Sequence, residues 1–180
     1  EEYYKDSDWK GTWDMEGGGV LIDQAIHTID LMQWLVGEID WVKGNIANHF
    51  HPYIEVEDVA EGLIQFKNGA RGIIYATNFY SYDADIILEI HGEKGKVFIE
   101  KDRARIEVDD MVYTVEESKE VKEGKSYWGS SHATQIADFY TDIKQGKRHW
   151  IGPEEAKVPL DIVLAIYRSK GQAIQLPLTE

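Results

Sequence analysis

Three consecutive glycines, at positions 17–19, lead into a stretch that constrains the fold more than any other part of the sequence. No Lys or Arg occurs between Met15 and Val36, and Gly37 follows in the place of a helix-terminating glycine. The pattern predicts a helix over Gly17–Val36. Because most of its circumference is apolar, we expect this helix to be buried.

The ionisable side chains of this helix, after the glycines, are Asp23, His27 and Asp30. At about 3.6 residues per turn, their spacing places all three on one face. Burying carboxylates without a local cation is costly, and perturbed groups concentrate at functional sites. The alternative is a satisfied polar pair of Asp23 and His27, with Asp30 bonded to neighbouring backbone. The preceding glycines, which permit close approach of a backbone or a ligand, favour a site.

The composition indicates one globular domain with a sizeable core. The chain has 180 residues, is 43% hydrophobic and carries a net charge of −14. This charge argues against nucleic acid and anionic membranes as partners, because both are bound through clustered Lys and Arg. The chain has no Cys, which excludes disulfides and thiolate chemistry and favours a reducing, cytoplasmic location. No apolar stretch reaches transmembrane length.

After the helix, the hydrophobic period changes from that of a helix to that of a strand. Short connections such as Asn68-Gly69, a strong hairpin signal, predict antiparallel neighbours. We therefore expect one large, meandering sheet over Asp40–Val115. The predicted strands are Asp40–His51, Val56–Phe66, Ala70–Tyr80, Ile86–His91, Lys96–Glu100, Arg103–Val108 and Met111–Val115.

Helices are predicted after the sheet. The charged segment Glu116–Ser131 is expected to be a loop, and His132–Gln145 shows helical spacing of apolar residues. Pro153 is a good helix start, Pro159 is expected to break that helix, and Leu160–Lys170 is predicted as a closing helix.

The predicted sheet is apolar on both faces. In Gly72–Tyr80, Ile73 and Tyr75 alternate with Ile74 and Ala76, so neither face is clearly polar. A sheet of this kind needs a second cover, and we expect that cover to be another subunit.

Two further groups of residues are candidates for chemistry. Trp9 and Trp13 either cover the edge of the core or line a pocket, since aromatic rings stack on sugar rings and on nicotinamide. His49 and His51 form a His-x-His pattern that can begin a metal site, as a metal-dependent isomerase would require. No further ligand at characteristic spacing completes that site, so we expect exposed strand histidines and no metal.

The order of motifs resembles the C-terminal domain of the Gfo/Idh/MocA oxidoreductase family. The residues that carry the resemblance are WKGTWDMEGGGVLIDQAIHTIDLMQWLVGE, EDVAEGLIQFKNGARGIIYAT, EIHGEKGKVFIE, QIADFYTDIKQGK and VLAIYRSKGQ. The signature GGG-x3-DQ-x2-H-x2-D, followed by these turns, is fairly specific, and the resemblance covers nearly the whole chain.

The resemblance implies an α+β fold with a large open, mostly antiparallel (mixed) sheet and helices on one face. This is the glyceraldehyde-3-phosphate-dehydrogenase-like C-terminal domain, whose open sheet commonly forms the subunit interface. Residues 1–180 are then a single substrate-binding and oligomerisation domain. The family's N-terminal Rossmann domain, with its dinucleotide fingerprint and E-K-P lysine, is absent from this chain, so we expect an excised, inactive fragment.

The resemblance also implies a function. Family members are NAD- or NADP-dependent dehydrogenases and reductases of sugars, inositols and related polyols, and the cofactor is bound mainly by the Rossmann domain. Asp23 and His27 match the family's catalytic Asp and His, and Asp30, Trp9 and Trp13 are candidates for substrate binding. The implied partners are a small sugar or polyol substrate and further copies of the chain. The alternative is a non-catalytic sensor or scaffold with the same fold.

Overall fold

The computed structural model describes residue 4 and residues 7–116 and 131–178. These residues form two compact units. Unit 1 lies within residues 1–84 and 156–180, and unit 2 lies within residues 85–155. Each unit contains one four-stranded antiparallel sheet together with helical residues, so the predicted α+β class is confirmed.

The helices and strands follow one another along the chain with mostly short connections. In chain order they are a π-helical turn (Leu21–Ala25), α1 (Ile26–Val36), β1 (Ile39–Ala47), β2 (Val59–Phe66), β3 (Arg71–Thr77), β4 (Ile87–Gly92), β5 (Gly95–Glu100), β6 (Arg103–Val108), β7 (Met111–Glu116), α2 (Ser131–Lys144), α3 (Pro153–Ser169) and β8 (Ile174–Gln175). Among the described residues, no helix is long and apolar enough to cross a membrane.

The sheet of unit 1 has the order β3-β2-β1-β8, and the sheet of unit 2 has the order β4-β5-β6-β7. Every strand pair is antiparallel. β2 and β3 are joined through the Asn68-Gly69 turn, where Gly69 has a φ of 91° that suits glycine. Helix α3 starts within the range of unit 2, and its residues from Ala156 onward belong to unit 1.

Helices α1 and α3 pack on the same face of the unit 1 sheet. Gly44 and Gly62 lie opposite each other on β1 and β2, and a Cβ at Gly44 would stand 3.0 Å from Ile166 Cγ2 of α3. Met32 of α1 lies 3.9 Å from the Cβ position of Gly72 on β3. Gly44, where a Cβ would crowd Ile166, therefore leaves the space that lets α3 approach the sheet closely.

The opposite face of this sheet is exposed and partly apolar. Leu63, Ile73 and Tyr75 are 49%, 79% and 62% exposed, whereas Ile74 and Ala76 are buried. The expectation that β3 has apolar side chains on both faces is therefore confirmed within the described residues.

The strands are divided between two sheets, where the sequence pattern predicts one. Residues 78–86 join β3 to β4 and have no strand structure. In residues 81–85, Ser81, Asp83 and Asp85 alternate with Tyr82 and Ala84, so the hydrophobic pattern alone is still that of a strand. The predicted continuous sheet therefore ends after Thr77 at a point that the local hydrophobic pattern does not mark.

Two predicted helix boundaries are wrong. Helix α1 is preceded by a π-helical turn and does not include the glycines, because those residues pack against other parts of unit 1 as described below. Helix α3 runs continuously through Pro159, which we expected to break it. The Pro159 side chain is buried, and its packing in the core offsets the loss of one helical hydrogen bond. Residues 117–130 of the predicted loop Glu116–Ser131 lie outside the described residues.

Candidate functional site

The helical segment that carries Asp23 and His27 is held at its start by one residue. The Glu57 carboxylate accepts hydrogen bonds from Gly19 N at 2.8 Å and from Leu21 N at 3.0 Å. Its backbone carbonyl accepts one from Val20 N at 3.1 Å. The first N–H groups of a helix have no partner inside the helix, so Glu57 satisfies three that would otherwise be unpaired. A carboxylate is also favoured there by the helix dipole.

The triple glycine makes this contact possible. A Cβ at Gly19 would stand 1.9 Å from the Glu57 carbonyl oxygen, and a Cβ at Gly18 would stand 2.1 Å from the hydroxyl of Tyr167. Gly17 has a φ of 83°, a backbone conformation that side chains rarely adopt. The close approach that the glycines permit is therefore to the protein's own backbone and to a tyrosine.

Tyr167 of α3 completes the arrangement. Its hydroxyl donates a hydrogen bond to Glu57 Oε1 at 2.8 Å. Burial raises the pKa of Tyr167, and the neighbouring carboxylate raises it further, because both oppose ionisation of the phenol. The hydroxyl therefore remains a donor, and Glu57, which is 2% exposed, has a hydrogen bond on each carboxylate oxygen.

Trp13 lies beside this cluster. Its ring meets that of Tyr167 edge to face, with centroids 5.3 Å apart. The indole Nε1 donates to the Glu55 carbonyl oxygen at 3.0 Å, and the backbone N donates to Glu55 Oε2 at 3.2 Å. The ring is thus fixed at one edge and remains 40% exposed. Trp9 is 50% exposed and carries Lys10 Nζ 5.6 Å from its centroid.

Asp23, His27 and Asp30 are all exposed. The expectation that these three side chains are partly buried is therefore wrong. The physical reason is that α1 packs through another part of its surface, where Ile29 and Met32 are buried. Asp23 lies in the π-helical turn and His27 in the first turn of α1. A π turn is wider than an α turn, so the regular helical spacing assumed from the sequence does not apply between them.

His49 and His51 do not lie on a strand, since β1 ends at Ala47. They belong to a loop that folds around the Asp58 carboxylate, which accepts hydrogen bonds from the backbone N–H groups of residues 49–51. The His51 ring nitrogen Nδ1 lies 3.0 Å from Asp58 Oδ2. No group of three or more potential metal ligands is present in the part of the chain that the structure describes.

Asp58 itself is fully buried. Burial alone would raise its pKa, but the three backbone hydrogen bonds and the one from the His51 ring together lower the pKa below its ordinary value. The carboxylate therefore stays charged and organises the loop. Within the described residues, Asp58 has a structural role, and its contact with the His51 ring fixes the position of that ring.

Sequence reasoning missed Glu57, Asp58 and the hydroxyl of Tyr167. A signal was available: two adjacent acids stand between the apolar residues Val56 and Val59, at the start of a strand that is otherwise half apolar. Adjacent acids in such a position need internal partners, because charged side chains are seldom buried unless they are paired. Which partners they find depends on residues distant in sequence.

Two described helix starts are unsuited to the phosphates of a dinucleotide. A helix N-terminus is a ready anion site, but the one before α1 is filled by Glu57. At the start of α3, Gly152 N donates to Glu155 Oε2 at 2.7 Å, and Glu154 adds a second acid. The Gly92–Gly95 segment is the turn between β4 and β5. These segments of the chain therefore offer no phosphate cradle.

Comparison with known proteins places this chain in a family. Residues 1–98 match the family described as GFO/IDH/MocA C-terminal domain. Scyllo-inositol 2-dehydrogenase (NAD(+)) of Bacillus subtilis (strain 168) is 27% identical over 165 residues, which are 88% of this chain and 48% of that protein. Myo-inositol 2-dehydrogenase of Thermotoga maritima is 24% identical over 175 residues, 91% of this chain and 50% of that protein. The chain spans about half the length of these curated relatives.

Solved structures show the same fold. The WlbA dehydrogenase from Bordetella pertussis, in complex with NADH and UDP-GlcNAcA, has a TM-score of 0.76 at 27% identity, covering 99% of this chain and 51% of that one. Levoglucosan dehydrogenase, in complex with NADH and levoglucosan, has a TM-score of 0.75 at 24% identity, covering 96% and 54%. Because the family match extends over more than half of the residues, this chain belongs to the GFO/IDH/MocA C-terminal domain family.

Proposed function

We propose that this chain is the substrate-binding and oligomerisation domain of an NAD- or NADP-dependent oxidoreductase that acts on a sugar, an inositol or a related polyol or keto-sugar. The observation that carries the proposal is the exposure of Asp23 and His27 on a helical segment whose start is fixed by buried hydrogen bonds. Relatives named as inositol dehydrogenases support the substrate class. The absence of Cys supports a cytoplasmic location.

His27 acts as the general acid–base in this proposal. Oxidation of an alcohol removes the O–H proton while a hydride leaves the carbon, and reduction of a ketone reverses both transfers. An imidazole is suited to carry that proton near neutral pH. Asp23 binds the substrate hydroxyl or orients the imidazole, and Asp30, Trp9 and Trp13 contact the substrate.

The cofactor supplies the hydride acceptor or donor, and we propose that a Rossmann domain outside these residues binds it. The carboxylates at the starts of the π-helical turn and α3 support this division, since they repel phosphate. The fragment alone should therefore have no dehydrogenase activity and no tight NAD(H) binding. Calorimetry on the 180-residue chain tests this, and micromolar binding of NADH or NADPH would contradict it.

Oligomerisation is proposed to use the exposed face of the unit 1 sheet. Leu63, Ile73 and Tyr75 lie on that face, and an apolar patch of this kind marks an interaction surface. Light scattering on the full-length protein should show a lower molar mass for Ile73→Arg. Ile87→Arg, which alters an exposed isoleucine of the unit 2 sheet, is the matched control. An unchanged mass for Ile73→Arg would argue against this interface.

The catalytic role is tested by His27→Asn in the full-length protein. Turnover of inositols and sugars with NAD and with NADP should fall by about 100-fold or more, because general acid–base catalysis contributes about that much. His91→Asn changes a histidine that is 68% exposed on β4 and should leave turnover unchanged. Wild-type turnover in His27→Asn would exclude this role, and absence of any turnover in the wild type would favour the sensor or scaffold alternative.

A further inference from the structure

Glu57 binds residues 19–21, immediately before Asp23, at more points than a helix cap needs. An ordinary cap uses a Ser, Thr, Asp or Asn side chain at the N-cap position to satisfy one N–H group. Val20 occupies the N-cap position here and makes no side-chain hydrogen bond. Glu57 instead accepts hydrogen bonds from the N–H groups of three successive residues, 19–21, through its carboxylate and its backbone carbonyl.

Three bonds to successive residues fix the helical segment in two ways. Successive residues lie at different positions around a helix axis, so hydrogen bonds to the N–H groups of all three oppose rotation of the segment as well as sliding. Gly19 packs directly on the Glu57 backbone and Gly18 on the Tyr167 hydroxyl, which leaves no space for adjustment. The rotation and axial position of the segment are therefore set by Glu57.

The candidate catalytic groups follow immediately after this anchor. Asp23 N donates to the Gly19 carbonyl oxygen at 3.0 Å, so Asp23 is one hydrogen bond removed from a residue that Glu57 holds. His27 follows four residues later, in the first turn of α1. A change at Glu57 is thus transmitted to both side chains through the backbone, without contact between them and the carboxylate.

The carboxylate is a costly way to satisfy these groups. It is 2% exposed, and its three described donors, two backbone N–H groups and one hydroxyl, are neutral. Taking a charge out of water requires good hydrogen-bond geometry on every side to offset the loss of hydration. The arrangement is therefore sensitive to the number of acceptors, which makes a conservative variant informative.

We propose that Glu57 is a positioning residue of this site, which places Asp23 and His27 for reaction by fixing the start of their helical segment. The inference rests on the proposed function, because it needs His27 to take part in the reaction. Glu57 has no contact with substrate in this proposal and acts through the backbone of residues 19–21.

The test is Glu57→Gln in the full-length protein. Gln keeps the length of the side chain, but its NH2 group must face either the Gly19 N–H or the Leu21 N–H, so at least one hydrogen bond is lost. We expect kcat to fall about tenfold to 100-fold, since a small misplacement of a catalytic group costs that much. KM should change by less than about threefold, because Trp9 and Trp13, which are proposed to contact the substrate, lie outside the helical segment, and urea unfolding should show a folded protein.

Tyr167→Phe supplies a second variant if Glu57→Gln does not fold. It removes one donor to Glu57 Oε1 and leaves both backbone bonds, so we expect a smaller fall in kcat, about twofold to fivefold. Glu93→Gln, an exposed residue in the turn between β4 and β5, is the matched control and should match the wild type. Wild-type kcat in both Glu57→Gln and Tyr167→Phe would overturn the proposal.

The double variant with His27→Asn separates positioning from a general structural role. If Glu57 acts by placing His27, Glu57→Gln should slow the His27→Asn enzyme by less than about twofold. A loss of folded protein would instead multiply the residual rate by the same factor in both backgrounds, and that result would overturn the proposal. Wild-type turnover in His27→Asn alone would remove the proposed function and this inference together, whereas a slow His27→Asn with a normal Glu57→Gln would remove this inference only.

Discussion

Unit 1 and unit 2 have similar strand patterns but different interiors. Unit 1 buries Leu21, Val42 and Ile166 to 1% exposure or less, and with them the charged Glu57 and Asp58. Among the described residues of unit 2, 85–116 and 131–155, none is buried. Its strands are as regularly paired as those of unit 1. Regular strand pairing therefore does not by itself create a core.

The polar interactions differ in the same way. In unit 1, Glu57 and Asp58 are removed from water and each carboxylate oxygen has a donor. In unit 2, pairs such as Arg103 and Glu116 lie at the surface, with side chains that are 63% and 44% exposed, although the His149 ring, 8% exposed, lies 2.8 Å from Asp142 Oδ2. Exposed pairs contribute little, whereas a buried carboxylate enforces the positions of its partners. Among the described residues, fully buried carboxylates that hold several backbone N–H groups are therefore found in unit 1.

The largest effect is expected for Gly19→Ala. The new Cβ would stand 1.9 Å from the Glu57 carbonyl oxygen, so the backbone of one of the two residues must move. We expect a loss of about 3 kcal/mol or more in the free energy of unfolding, measured with urea. Gly62→Ala is the control, because its Cβ would have no neighbour closer than 3.7 Å. Equal stability of the two variants would contradict the close packing of unit 1.

Asp58→Asn is expected to have the next largest effect. The amide loses the charge and turns an NH2 group towards N–H donors of the 49–51 loop, so the free energy of unfolding should fall by about 2 kcal/mol. Asp83→Asn changes an exposed residue outside the strands and serves as its control. If the free energy of unfolding falls by the same small amount in both variants, the buried Asp58 stabilises unit 1 no more than an exposed aspartate does.

Acid should reduce the difference between the wild type and Asp58→Asn. The folded-state pKa of Asp58 is lowered, so its stabilising contribution is fully present above the unfolded-state value of 3.8 and is lost as pH falls through the folded-state pKa. Urea unfolding at a series of pH values should therefore show the two proteins converging below about pH 3.8. A constant difference down to low pH would mean that the charge of Asp58 has no part in the effect.

The smallest effect is expected in unit 2, for Ile143→Ser. Ile143 on α2 is 56% exposed, and surface substitutions usually change the free energy of unfolding by less than about 0.5 kcal/mol. Thermal unfolding of the 180-residue chain, with Thr141→Ser as the control on the same helix, checks this value. A loss of about 2 kcal/mol or more would show that this face of α2 is covered, and the contrast between the units would then be smaller than described.

Local patterns predicted much of the fold. The Asn68-Gly69 turn, the helical spacing that identifies α2 and the alternation of Ile73 and Ile74 each depend on neighbouring residues, and each is found in the structure. The family signature around Asp23 and His27 likewise identified the family from residues close together in sequence.

Other features depend on distant contacts and could not be predicted. The π-helical turn begins two residues after Gly19, which packs on Glu57, 38 residues away. Helix α3 continues through Pro159 because the core holds that residue, which its local propensity does not reveal. The exposure of Asp23, His27 and Asp30 follows from which part of α1 the sheet covers, and the apolar composition of the helix gave the opposite expectation.

The hydrogen bond from the Tyr167 hydroxyl to Glu57 joins residues that are 110 positions apart in the chain. During synthesis from the N-terminus, residues 19–27 leave the ribosome long before Tyr167 does. The helical segment that carries Asp23 and His27 therefore lacks one of the contacts that hold Glu57 until nearly all of this sequence has been made. Premature termination before Tyr167 would leave a product that contains every proposed reacting side chain but lacks the last part that holds them in place.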